Sequence, residues 1–416
     1  MRFHALCASA ACALLSAAAI AAPSNAVAAD APATAPDPAL AHARRVLSRA
    51  ILFDGHNDLP ITIREKLGPN PDLAAYDLRK PTPGHTDIAR LRAGHVGAQF
   101  WSVYIPGEAG GNYARTQLEQ IAIARRVIER YPDTFVLAST AADVERAHRQ
   151  GRIASMLGME GGYGIENSLG ALHAYYDLGV RYMTLTHNTH TDWADSALQV
   201  PPKHDGLTEF GRDVVREMNR IGMLVDLSHT AEKTMLDTLD VSQAPVIFSH
   251  AAARALCDTP RNVPDSVLDR LRANGGVVMV TFVAGFVSNE AAKAMMPAIA
   301  EYGLRARELK TQEEREALRR EIFERVRIPK TTVVQVADHI EYIAKRAGVD
   351  HVGIGGDFDG NEYWPEGLSD VSMYPNLFAE LVRRGWSDAD LAKLAGGNVL
   401  RALRDAERVA QRLRKP

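Results

Sequence analysis

The stretch AILFDGHNDLP, Ala50 to Pro60, decides the fold. An apolar run, Ala50–Phe53, passes directly into an acid, a glycine, a histidine, an asparagine and a second acid. Seven further short apolar runs read as strands: Val96–Ile105, Arg152–Met159, Arg181–Thr186, Met223–Ser228, Val246–Ser249, Gly276–Phe282 and His351–Gly356. Helical patterns lie between most of them. Ala114–Tyr131 places Leu118, Ile121, Ile123 and Val127 at roughly helical spacing, and Leu207–Ile221 does the same with Phe210, Val214, Val215 and Met218. Pro264–Asn274 opens on Pro and closes before Gly275-Gly276, as helices do. This alternation predicts an α/β protein with a parallel sheet. Eight such units over roughly 360 residues predict a closed (β/α)8 TIM-like barrel. The open doubly wound sheet is disfavoured, because no Gly-rich phosphate fingerprint follows the first strand. Phe286–Lys330 breaks the rhythm. It reads as a helical insertion after the seventh strand, either a lid or plain decoration.

The polar ending of the first strand recurs. The third run reaches Glu160, the fourth His187, the fifth His229, the sixth His250 and the eighth Asp357 and Asp359. In a parallel barrel these C-terminal strand ends converge on one face, where catalytic groups gather. In an extended strand residues two apart point the same way, so His56 and Asp58 aim at one centre and Asn57 elsewhere. Imidazole and carboxylate together suit zinc or a similar divalent ion. His229 and His250, from neighbouring strands, suit a second ion, and Glu160 has two oxygens with which to bridge the pair. Two ions about 3.5–4 Å apart can hold a hydroxide and polarise a carbonyl. A single strand-end His is more often a hydrogen-bonded structural residue; the conjunction at one end of several strands carries the metal reading. His42, His95, His148, His173 and His339 stand in helical or loop patterns without such company, and His85, His190 and His204 fall in loops near the expected mouth.

Composition narrows the partners. The 416 residues are 46% hydrophobic and 24% charged, an ordinary globular balance. Net charge is -3 with no long basic run, which gives no support to nucleic-acid or membrane-surface binding. Residues 1–28 read as a secretory signal peptide: a basic start, the apolar Ala5–Ala22 and an Ala26-Val27-Ala28 cleavage site. Residues 29–44 then form a flexible leader and 45–416 the barrel domain, exported to the periplasm or secreted. Cys7 and Cys12 fall in the signal, so the mature chain keeps only Cys257 and no internal disulfide. No C-terminal lipid-anchor signal is legible; Arg401–Pro416 reads as a charged amphipathic helix. A homodimer without a disulfide is compatible with this, and no interface is legible.

The segments DGHNDLP, MEGG, RYMTLTHN with WADS, VDLSH, PVIFSH, RNVPD and GIGGDFDG occur in that order. Together they resemble the membrane dipeptidase (renal dipeptidase) family of zinc metallopeptidases, from about Arg45 to Arg404. The resemblance implies an amidohydrolase-type barrel with two zinc ions. His56 and Asp58 would hold one and His229 and His250 the other, with Glu160 bridging. It further implies that His187 contacts substrate and stabilises the tetrahedral oxygen, that Asp357 carries the proton, and that Arg261 holds the dipeptide carboxylate. Spacing alone chooses neither Asp357 over Asp359 nor Arg261. The chain departs from mammalian members in lacking their cysteines and anchor signal, in Asn188–Asp192, and in a longer Phe286–Lys330 segment. The expected activity is hydrolysis of dipeptides, including those ending in a D-residue. The alternatives are a related hydrolase acting on a lactone, a β-lactam or a phosphoester, and a silent binding protein that would have lost a ligand or Asp357.

Overall fold

The structure, a computed structural model, describes residues 37–107, 111–309 and 311–415. The expected signal peptide, most of the expected leader, Cys7 and Cys12 lie outside the described residues.

Among the described residues nine strands form one all-parallel sheet: β1 Leu52–Asn57, β2 Val96–Ser102, β3 Phe135–Leu137, β4 Ile153–Glu160, β5 Val180–Thr184, β6 Leu224–Asp226, β7 Val246–Ala251, β8 Val277–Val280 and β9 Val352–Ile354. Eight close a barrel in the order β1-β2-β4-β5-β6-β7-β8-β9, with β9 returning to β1 at Ile354 and Asp54. The ninth, β3, was not legible as a strand. Its residues pair with Ile153–Ser155 at the start of β4, whereas β5 pairs only from Leu157 onward. Thus β3 covers backbone groups that the later-starting β5 leaves open, as buried N–H and C=O groups require.

Apolar side chains of alternate strand positions, among them Phe53, Phe100, Met156, Leu224, Ile247 and Met279, fill the barrel. They form one cluster with Val399, Leu400, Ala402, Leu403 and Ala406. These belong to the helix Asn398–Leu413, so the tail is amphipathic as expected and also packs into the core. The helices expected from periodicity appear at Tyr113–Arg130, Glu209–Ile221 and Asp265–Asn274.

Two expectations need correction. The leader does not run to residue 44. Pro38–Leu47 is a helix with Asp37 capping its N-terminus through the Ala39 N–H at 3.0 Å, and Ala43, Val46 and Leu47 are buried. An Asp N-cap followed by Pro at the first helical position is a helix start. The first strand also ends later than Phe53, so Asp54, Gly55, His56 and Asn57 are inside it. The 286–330 segment folds as Ala284–Val287, Asn289–Arg305 and Gln312–Phe323, the last opened by a Thr311/Glu314 capping box. No described helix is long and apolar enough to cross a membrane.

Candidate metal centre

The crowded end of β1 now resolves into separate tasks. Asp54, fully buried, accepts from the His56 and Gly356 backbone N–H groups at 2.9 and 2.7 Å, from Gln99 at 2.7 Å and from the Tyr374 hydroxyl at 2.8 Å. It ties β1 to β2 and to the segment after β9. Burial raises its pKa, against the pull of these four donors. Asn57 donates to Thr86 and caps the next turn by accepting from the Leu59 N–H. His56 and Asp58 alone face the centre. Asp58 reaches it from the N-cap of helix Leu59–Leu67, not from an extended strand position, and its Oδ2 lies 3.3 Å from His56 Nε2.

Glu160, the last residue of β4, sits in the middle. Its Oε2 is 3.4 Å from His56 Nε2. Its Oε1 is 3.0 Å from His229 Nε2, 3.4 Å from His250 Nε2 and 3.9 Å from His187 Nε2. Asp357 Oδ1 lies 3.9 Å from His56 Nε2. Side chains from six strand ends therefore meet within one small volume, with Arg261 beside them. Three overlapping donor groups result: His56, Glu160 and His250; Glu160, His187 and His229; His56, Asp58 and Asp357.

The imidazoles are set from behind. His56 Nδ1 meets the Tyr182 hydroxyl at 2.8 Å. His229 Nδ1 meets the Asn188 side-chain oxygen at 3.0 Å. His250 Nδ1 meets Ser249 Oγ at 2.9 Å, and that hydroxyl donates to Asp226 at 2.6 Å. Each outer nitrogen is thus occupied by a neighbour and Nε2 is directed inward, the arrangement typical of a metal-ligating histidine. Gly158 leaves room for Tyr182: a Cβ there would lie 2.0 Å from its ring.

Electrostatics agree. Burial, reinforced by Arg261 and His187, holds His229 neutral well below the ordinary histidine range; burial and His56 do the same for His250. Burial opposes ionisation of Glu160, but His56, His229 and His250 outweigh it and hold its pKa well below the carboxylate range. Burial pushes Asp357 well above that range; His56 opposes this, while Asp58 and Glu160 add to it. A fit to cations is visible without them. The His229 and His250 Nε2 atoms face each other at 2.9 Å, and His56 Nε2 and Asp58 Oδ1 are buried without a hydrogen-bond partner. Burial alone would lower His56, but Tyr182, Glu160 and Asp58 outweigh it and hold His56 well above the histidine range. Two neutral imidazoles, His229 and His250, and the ionised Glu160 thus converge with His56 and Asp58 in a desolvated space, side-chain types that a divalent ion takes as donors.

His229, Asp357 and Asp359 all adopt left-handed backbone, with φ of 66°, 65° and 67°. Non-glycine residues rarely do so, and such strain concentrates at functional sites. The structure separates the two acids that spacing could not. Asp357 joins the centre, while Asp359 accepts from the His85 N–H at 2.8 Å and holds that loop. His85 in turn accepts from Trp364 at 2.9 Å. A Cβ on Gly360 would lie 2.3 Å from Asp58 and 2.6 Å from Asp357, so glycine there keeps both carboxylates in place. His190 and His204 brace the loop after β5 through Ser196, Pro201 and Thr191. His339 is a buried brace, accepting from Ala253 N–H at 3.0 Å.

Arg261 is buried, 1% exposed, and its Nη2 reaches the His250 carbonyl at 3.3 Å. Its Nε and Nη1 are buried without partners. The centre and Arg261 form the floor of one cleft of about 250 Å³, whose lining includes Tyr104 and, from the 286–330 insertion, Met295, Ile299 and Phe323. The positioning roles of Tyr182, Asn188, Ser249 and Asp226 have no signal in the sequence beyond their place within or beside the strand-end motifs.

Comparison with known proteins agrees with this geometry. The family described as Membrane dipeptidase (Peptidase family M19) matches residues 40–416. Dipeptidase aclJ of Aspergillus oryzae is 40% identical over 378 residues, 89% of this chain and 81% of that one. Dipeptidase 3 of Mus musculus is 40% identical over 384 residues, 90% of this chain and 69% of that one. Among solved structures, the probable dipeptidase PvdM from Pseudomonas aeruginosa superposes with a TM-score of 0.78 at 25% identity, covering 90% of this chain and 100% of its own. A metallo peptidase from Rhodobacter sphaeroides, liganded with a phosphinate mimic of the dipeptide L-Ala-D-Ala, gives 0.69 at 26% identity, covering 86% and 99%. The barrel, the convergent donors and a match across the whole described domain together place this chain in the membrane dipeptidase family, the M19 metallo-dipeptidases, hydrolases that act on peptide bonds.

Proposed function

We propose that the chain is a dizinc dipeptidase whose substrates include dipeptides ending in a D-residue. The observation that carries the reading is Glu160, with one oxygen toward His56 and the other toward His229 and His250. His56 and Asp58 would hold one ion and His229 and His250 the other. Such a pair supplies Lewis acidity and makes water a usable nucleophile near neutral pH. Arg261 offers two unpartnered, buried N–H groups to the free carboxylate of the substrate, a charge-assisted contact that favours short peptides over long chains. His187, 15% exposed at its side chain and next to Glu160, donates to the carbonyl oxygen as negative charge develops there. Asp357 takes the proton of the attacking water and delivers it to the leaving amine; a carboxyl pushed up by burial suits that exchange. The D-residue reading is supported by the family resemblance and by the dipeptide mimic bound to the Rhodobacter relative. Export, with residues 1–28 as signal, belongs to the same reading.

Elemental analysis of the purified protein, paired with hydrolysis of L,L- and L,D-dipeptides before and after chelation, tests it. Two zinc per chain and chelator-sensitive turnover of both series are expected. Turnover of a lactone or phosphotriester in preference to every dipeptide would overturn it, as would full activity in metal-free protein.

A further inference from the structure

We propose that the helical insertion supplies a selectivity wall for the substrate residue that bears the free carboxylate, and that this wall selects an apolar side chain. The inference rests on the dipeptidase reading and on Arg261 as the carboxylate site. The Arg261 guanidinium lies 4.8 Å from the centre of the Phe286 ring. A carboxylate that meets either free N–H group, on Nε or Nη1, lies beside the guanidinium that Phe286 covers, and so brings the adjoining Cα close to Phe286. That ring belongs to an apolar cluster with Val283 and Met295, against which Ile299 and Phe323 pack. The same five side chains also line the cleft. The cluster thus buries one side in the protein and turns the other toward the substrate. A leucine or phenylalanine side chain entering there covers apolar surface that glycine leaves wet, whereas an aspartate or lysine side chain laid against these five side chains gives up hydration with no hydrogen-bonding group among them.

The insertion also brings Arg315 and Arg319 to the cleft, which raises the opposite possibility of an acidic side chain. Both guanidinium groups already have partners. Arg315 donates to the Leu309 carbonyl at 2.7 Å, and Arg319 lies 4.0 Å from Glu362. The apolar occupant is therefore favoured.

The test is kcat/KM of the holoenzyme on Ala-Gly, Ala-Ala, Ala-Leu, Ala-Phe, Ala-Asp and Ala-Lys. One methylene in an apolar pocket is worth about 10-fold or more, so Ala-Leu should exceed both Ala-Gly and Ala-Asp by at least about tenfold. In Ile299→Glu, at a half-buried position, the Ala-Leu to Ala-Gly ratio should fall by a similar factor and Ala-Lys should gain on Ala-Leu. The wild-type series decides the matter even if that variant does not fold. Equal or better use of Ala-Gly or Ala-Asp by the wild type would overturn the wall and leave the dipeptidase reading standing. No turnover of any dipeptide would overturn both.

Discussion

At the floor of the cleft His56, Glu160 and His250 are at most 3% exposed, and the outer nitrogens of His56 and His250 are fixed by buried hydroxyls. In the insertion above, the visible ties are of another kind. Arg305 and Arg325 bridge Glu301 and Glu321, with every side chain between 39% and 55% exposed. The floor rests on strand ends that cannot shift without disturbing the barrel. The roof rests on a small satellite core and on solvent-screened charge. Side chains fixed from behind by buried hydrogen bonds hold a geometry within narrow limits, whereas exposed ion pairs contribute little and are weakened by salt. On the proposed reading, reaction chemistry and substrate choice sit on parts of differing rigidity, and substitutions in the two should be separable by their effects.

The largest effect belongs to the floor. Asp357→Asn keeps the shape of the side chain but removes its capacity to exchange a proton. Turnover of dipeptides should fall by roughly 10²–10⁴. Metal content by elemental analysis should stay close to that of the wild type, because His56, Asp58, Glu160, His229 and His250 remain. Full turnover in this variant would remove Asp357 from the reaction, and loss of metal would make it a ligand first.

A smaller and more diagnostic effect is expected one layer behind. Tyr182→Phe deletes the hydroxyl that fixes His56 and leaves a buried imidazole nitrogen without its partner. Metal affinity, measured by competition with a chromogenic chelator, should weaken about 10–100-fold. At saturating metal, kcat should change much less than in Asp357→Asn. An unchanged affinity would mean that His56 is positioned by the strand alone, and the contrast between a locked floor and a loosely held roof would lose its main support.

Tyr182 also shows where the sequence falls silent. The periodicities exposed the strands and helices because alternation and amphipathicity are local. The inward convergence of these His, Asp and Glu side chains followed, because a parallel barrel brings all strand ends to one face. His56 and Tyr182 are 126 residues apart, and nothing local marks their contact. The choice between Asp357 and Asp359 was hidden for another reason. Both stand in left-handed backbone, so strand alternation does not govern where they point. The three-residue β3 is too short to carry a period, and its pairing depends on where β5 begins. The helix Pro38–Leu47 was masked by its Ala/Pro-rich surroundings, although Asp37 and Pro38 form an ordinary helix start.

The smallest effect is the one that tests the roof. Arg319, on the insertion, faces Glu362, on the loop after β9, at 4.0 Å, and the two side chains are 41% and 68% exposed. An exposed pair of this kind is worth about 0.2–1 kcal/mol, so Arg319→Ala should move KM for dipeptides by less than about fivefold. Because the pair is screened by salt, raising the ionic strength of the wild type should move its KM in the same direction, and the variant should have lost that sensitivity. The turnover number should hold, since no group on the floor is touched. A fall in kcat comparable with that of Tyr182→Phe would mean that the contact across the mouth helps to set the catalytic groups. The roof would then have to be counted with the floor as one rigid unit.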